Sequence, residues 1–396
     1  LAGLDFSFMR VLIVAGWFRV LMRMEHTWVR IGTLDALLMF WAVVGTIVFT
    51  ARLGTTSALV YQLGGSFEAL GLYSLLRVFI RTRDDVIFIF RCLGWFVIPV
   101  LVLFLFEKST ARNLFAVFGG VPEFTAIREG RLRVQGAFAH PIVAGVFWAT
   151  ILPFIGFRYW RSHYERPTAI ALTAATLGII VLTASSTPIM TAFAVVAAAA
   201  AFPLRSHMRV VQIMVIVATI GLHIIMEAPV WHLISRIDIA GGSTGWHRFN
   251  VINQAIVNFD EWAIMGTSQI DHWYIWYNDI TNEFVRQGLR GGVLTLALFL
   301  SVIVCAFRYL GAWQERAIND REDEVLIWVL GSALFGHAVT FLVLSYFGQV
   351  LFVWYLTLAI VSSLHQTLVV PSFATQEVPL SASSARFTST MRRGYE

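Results

Sequence analysis

The chain has 396 residues, 58% of them hydrophobic and only 13% charged, with a mean hydropathy of +0.72. A soluble domain carries about 25% charged residues, so this composition excludes one. It predicts an all-α polytopic membrane protein whose spans satisfy their own backbone as helices. The net charge of +5 does not point to nucleic acid, because the basic residues are scattered and form no long run interleaved with aromatics. Cys92 and Cys305 lie far apart in apolar runs, which excludes a disulfide framework or a cysteine metal site. The chain begins with Leu1, shows no signal-peptide pattern and reads as a piece of a longer protein.

In chain order, residues 1–22 are apolar but hold Asp5, Arg10 and Arg19, as an interfacial helix or an imperfect span would. Better spans are predicted near 34–51, 57–80 and 86–106, then 138–157, 168–184, 187–203 and 210–226, and finally 292–309, 325–344 and 347–366. That gives about 10–11 spans in a single membrane domain over 1–366, with two polar loops at 107–136 and 227–290. The larger loop precedes the last three spans. The Ser/Thr-rich tail, 367–396, is expected to be disordered and cytoplasmic. Few ionisable groups fall inside spans, Arg77, Arg91, His223, His337 and Glu68 among them.

Arginines fix the expected orientation. The short loops 81–85, 157–167, 203–209 and 307–323 all carry them, and counting spans puts all four on one face, read as cytoplasmic. Both long loops then share the opposite face, periplasmic in a Gram-negative cell, with the chain in the inner membrane.

The first long loop gathers Arg128, Arg131 and Arg133 on the side where topology does not ask for positive charge. A guanidinium at a membrane mouth can pair two donors with a phosphate or carboxylate, or can snorkel to lipid headgroups. Gly136 either lets a backbone approach a ligand or fits a turn. Pro141 suits the first turn of a helix, and His140 before it is a candidate base or an interfacial polar residue.

In the second loop, "GGSTG" (241–245) is a turn, and the residues after it have helical periodicity with Phe249, Ile252, Ile256 and Phe259 on one face and Arg248 in the first turn. "DITNEFVRQGLRGG" (279–292) reads as a helix leading into the next span, with Asp279 as its cap and Asn282 one turn on along the same face. Trp246, Trp262, Trp273, Trp276 and Tyr277 fit an interfacial belt or a sugar-stacking surface. The chain contains no Gly-rich phosphate loop, no HExxH pair and no Asp-x-Asp in an outer loop, so neither a nucleotide cofactor nor a metal is expected.

The order of these features resembles the O-antigen ligase and O-antigen polymerase family of bacterial envelope glycosyltransferases, over roughly residues 100 to 365. "RVQGAFAHP" (133–141) matches that family's Arg-x-x-Gly-x-Phe opening of a helix. "GWHRFNVINQAI" (245–256) is similar to the Gly-Arg start of the outer-loop helix. "GTSQIDHWYIWYNDITNEFVRQGLRGG" (266–292) is similar to the closing segment, with its Gly-hydrophobic-x-Gly turn. The resemblance implies transfer of a glycan from undecaprenyl diphosphate to an acceptor sugar or lipid. Arg133 and Arg248 would bind the diphosphate, supported by Arg131, Arg128, Gly136 and Asn282. Where family ligases carry a His-Asn pair this chain has Tyr277 and Asn278, so the base is assigned among Asp279, His272 and His140. A transporter or flippase for a lipid-linked or anionic solute is the alternative from another class, and a membrane scaffold a third. The sequence names neither the glycan nor the oligomeric state.

Overall fold

The structure is a computed structural model that describes residues 8–25, 29–236, 245–275, 279–317 and 320–369. Among these, every expected span is a helix: α1 (Phe8–Met22), α2 (Thr33–Leu53), α3 (Thr56–Phe79), α4 (Arg83–Thr110), α5 (Pro141–Arg161), α6 (Arg166–Leu182), α7 (Ser186–Ala200), α8 (Met208–Ile225), α9 (Gly245–Val257), α10 (Phe259–Trp262), α11 (Glu283–Gln314), α12 (Arg321–Phe341) and α13 (Val350–Leu364). Eight helical segments among the described residues are long and apolar enough to cross a membrane. Helix α3 is as long but carries Gln62, Glu68 and Arg77, and α7 is apolar but only 15 residues long. The chain is therefore an all-α polytopic membrane protein. Its only described strands are β1 (Ile127–Arg128) and β2 (Arg131–Leu132), a hairpin pairing Arg128 with Arg131.

Helix starts follow local chemistry. Thr82 and Asp85 form a capping box on α4, Asp320 caps α12, and Pro141 opens α5. Helices α5, α12 and α13 form the centre, each mostly buried, whereas α8 has no buried residue. Small side chains let the inner helices approach: a Cβ on Gly145 of α5 would sit 2.4 Å from Pro188 of α7.

Inside the bundle Arg77 and Glu68 are paired. Arg77, 2% exposed, donates to Asp35, Ser363, Gln366 and the Arg30 carbonyl, and Tyr73 donates to Asp35 at 2.6 Å. This fastens α2, α3 and α13 together with its polar atoms satisfied, as a charge in the bundle requires. Glu68 accepts from Arg10 of α1 at 2.7 Å, so the first helix is docked on α3.

The two ends of the bundle differ. At one end, the acidic start of α12 gathers arginines from three other segments: Arg83 pairs with Asp320 and Asp323, Arg161 with Glu322, and Arg205 with Glu324. These four basic turns lie together, as the span count requires. At the other end, the α12–α13 turn touches both long loops or their flanks: Gln349 binds the backbone of Ala137 and Ala139, Asn282 donates to the Leu342 carbonyl, and nearby Val134 N–H donates to that of Leu182 in α6.

Helix α11 is broken where the sequence places its Gly-hydrophobic-x-Gly turn. Gly291 and Gly292 leave helical geometry, and a Cβ on Gly292, at φ +72°, would sit 2.3 Å from the Ile264 carbonyl oxygen. The chain enters the span after the break. Past α13 it continues as a π-turn, His365–Val369, so helix runs slightly beyond the expected boundary at 366. The remainder of the tail, the "GGST" residues 241–244, and Trp276, Tyr277 and Asn278 lie outside the described residues.

Candidate functional site: a cationic pair at the start of α7

The site is built from the first long loop upward. Glu107, at the end of α4, is 2% exposed and accepts hydrogen bonds from Thr125 Oγ1, Gln135 N–H and Gly136 N–H. A buried carboxylate holding two successive amides fixes the turn that follows. Asn113 Nδ2 donates to the Gly136 carbonyl at 2.7 Å. Gly136 has φ +56°, and a Cβ there would meet Phe104 at 2.5 Å, so both backbone and space require glycine. The turn thus sets Arg133 on one side and His140 on the other.

Arg133 is 8% exposed and donates through Nη2 to Ser185 Oγ. Arg248, from the first turn of α9, is 6% exposed and donates through Nη2 to Thr187 Oγ1 at 2.7 Å. The two acceptors flank the first residue of α7. Ser185 is the N-cap of that helix but makes no side-chain cap bond to it. Remote segments thus bring two guanidiniums to one helix start, where partial positive charge already resides. Among the described residues neither arginine has a carboxylate within ion-pair distance, and both keep a buried Nε without a partner.

Electrostatics agree with the geometry. Burial, then the charge of Arg128, lowers the pKa of Arg133, and the same causes bring Arg248 down to about 10. Burial, then Arg133 and Arg128, depress His140 to about 4. At neutral pH both buried arginines remain charged and His140 is neutral. Among the described residues no carboxylate pairs with either buried arginine, an arrangement suited to an anionic ligand.

The other expected residues are placed as follows. Arg128 and Arg131 face each other across the exposed hairpin, whose tip, Glu129–Gly130, has positive φ at both residues, as primed turns do. His140 Nδ1 accepts from Ile142 N–H at 3.1 Å and so caps α5. That bond engages Nδ1, which leaves Nε2 as the ring nitrogen not used by the cap.

The cap expected at Asp279 is instead Asn282: its side chain accepts from Val285 N–H at 3.0 Å and donates to Leu342. The helix begins at Glu283, so Asp279 and Asn282 share no helical face, and Asn282, 2% exposed, serves as the cap. Asp279 is exposed, and its carbonyl accepts from Nε2 of His247, the neighbour of Arg248, at 2.8 Å. His272 is exposed and held by Glu261 at 2.9 Å beside Trp273, which also donates to Glu261.

The inward face of α9 carries Arg248, Val251 and Ala255, whereas Ile256 and Phe259 are about half exposed. The apolar stripe read from periodicity is therefore split, with Phe249 and Ile252 half-buried, Phe249 against His232 and Trp246, and its far end exposed. Sequence reading also missed Ser185, Thr187 and Glu107. The run Ser185-Ser186-Thr187-Pro188 carries the signature of a helix start, and that signal marks the acceptors.

No family model and no curated protein matches the chain. The residues themselves carry the functional reading.

Proposed function

We propose that this chain is a membrane glycosyltransferase of the O-antigen ligase or polymerase type. It moves a glycan from an undecaprenyl-diphosphate donor to an acceptor sugar hydroxyl at the periplasmic face of the bacterial inner membrane. The observation that carries this reading is the meeting of Arg133 and Arg248 at the start of α7, with no carboxylate paired to either among the described residues.

In such a transfer the acceptor oxygen attacks the anomeric carbon, the bond from that carbon to the phosphate oxygen breaks, and the diphosphate leaves with the electron pair. Charge grows on the leaving group, and fixed guanidiniums at a helix N-terminus stabilise it without reorganising. The Nη2–hydroxyl bonds hold both guanidiniums in place. Neutral His140 adds an Nε2–H donor and no counter-charge. The hydroxyl proton goes to the exposed carboxylate of Asp279, whose backbone carbonyl is tied through His247 to the helix that carries Arg248.

The test uses purified protein in detergent with an undecaprenyl-diphosphate glycan and an acceptor oligosaccharide. Release of undecaprenyl diphosphate together with a lengthened acceptor supports the proposal. Donor movement in vesicles with no release identifies a lipid-linked solute carrier instead and overturns it.

A further inference from the structure

A cavity of about 530 Å³ lies beside the cationic pair, between α2, α3, α11 and α13. Its size falls within the range of about 300–1,000 Å³ typical of small-ligand sites. The two features share a wall: Ala139 lines the cavity, Gln349 clamps the Ala137 carbonyl and the Ala139 N–H, and Phe347 meets the His140 ring edge-on at 6.3 Å.

The lining is mixed. Trp41, Phe299 and Trp354 form an aromatic wall, with ring centroids 6.2 Å apart in successive pairs. Against it stand groups with unused hydrogen-bonding capacity. Tyr355 is only 5% exposed, lines the cavity, and has no hydrogen-bond partner among the described residues. The Gln62 amide is likewise unpartnered among them.

The cations here are not equivalent. Arg10 is paired with Glu68 and Arg286 with Glu283. Arg290 has the Tyr61 hydroxyl at 3.0 Å and the Tyr61 ring, and no carboxylate partner among the described residues. Aromatic faces suit the C–H faces of sugar rings, amide and phenol groups suit their hydroxyls, and one uncompensated guanidinium suits one carboxylate. We infer that the cavity binds an acidic saccharide, with Arg290 reading its carboxylate and Tyr355 a ring hydroxyl. Its role as the acceptor subsite rests on the glycosyltransferase reading, whereas the binding itself does not.

The experiment is equilibrium binding to the purified full chain in detergent, using a tetrasaccharide ended by glucuronic acid and its glucose-ended counterpart. The wild type binds the acidic probe at least tenfold more tightly. Arg290→Gln erases that preference while still binding the glucose-ended probe, and Tyr355→Phe weakens both several-fold, each variant remaining monodisperse. Equal affinity for the two probes, a preference that survives in Arg290→Gln, or a response to phosphatidylglycerol and to neither saccharide overturns the inference. Acid-selective binding without glycan transfer refutes the catalytic reading alone, and transfer without acid-selective binding refutes this one alone.

Discussion

Arg133 and Arg248 are joined through the start of one helix: the first donates to Ser185, the second to Thr187. Neither has a carboxylate partner among the described residues, so each should matter more to the reaction than to the fold. Arg133→Ala and Arg248→Ala are each expected to lower undecaprenyl-diphosphate release by about 10²–10³-fold, the scale of losing one preorganised charge contact. Arg133→Lys retains little activity, because a point charge does not reproduce the planar fork. Unchanged product yield in both alanine variants sinks the site.

Gly136 and Gly130 both have positive φ but differ in surroundings. A Cβ at Gly136 meets Phe104, whereas one at Gly130 meets nothing within 4 Å. Gly130→Ala carries only the backbone cost, about 1–2 kcal/mol. Gly136→Ala adds a collision and displaces the turn that sets Arg133. A larger fall in melting temperature and in transfer rate for Gly136→Ala than for Gly130→Ala is expected in detergent. The reverse order contradicts the assignment.

Capping separates Asn282 from Asp279. Asn282→Ala removes the cap of α11 and a bond to Leu342, and is expected to cost about 0.5–2 kcal/mol. Asp279→Ala, at an exposed position whose carbonyl makes the observed contact, stays within about 0.5 kcal/mol of wild type. Thermal unfolding of the two variants side by side checks this.

The depressed pKa of His140 gives a pH dependence of definite sign. Between its ordinary value of 6.5 and about 4 the unfolded chain binds the proton and the folded chain does not. Stability therefore rises with pH through that window, and the contribution is lost as pH falls from about 6.5 to about 4. His140→Asn keeps a good cap and removes the titration, so its melting temperature should fall less on acidification than that of wild type. Arg128→Gln removes one of the charges that depress His140, which moves its titration upward and narrows the window. Identical acid profiles for wild type and His140→Asn refute this.

The helices were legible because apolar runs of span length admit one backbone solution in lipid, and the Arg-bearing turns ordered them correctly at one end. The break in α11 was legible too, since the Gly291–Gly292 pair stands there and the second glycine takes the positive φ that the turn requires. What failed were faces and caps. The stripe of Phe249, Ile252, Ile256 and Phe259 has the right period, but periodicity does not say which of its members pack on protein. Asp279 and Asn282 are both good cap residues, and only the packing of Leu342 against the α11 start selects Asn282. Ser185 and Thr187 carry a helix-start signal but no charge, so their part in the site becomes recognisable only beside the arginines that bind them.

The break in α11 has a mechanical side. On its outer segment, the Leu289 carbonyl accepts from both Arg52 and Thr267 N–H, while beyond the break Val293 N–H donates to the Ala263 carbonyl. Rivets on both sides of the glycine pair weld the Glu283–Arg290 segment to the Ala263–Thr267 bend and to the tip of α2. That outer segment cannot pivot alone like a flap. Any swing admitting a bulky chain must carry the whole welded block, with Arg286 and Arg290 travelling as its cargo.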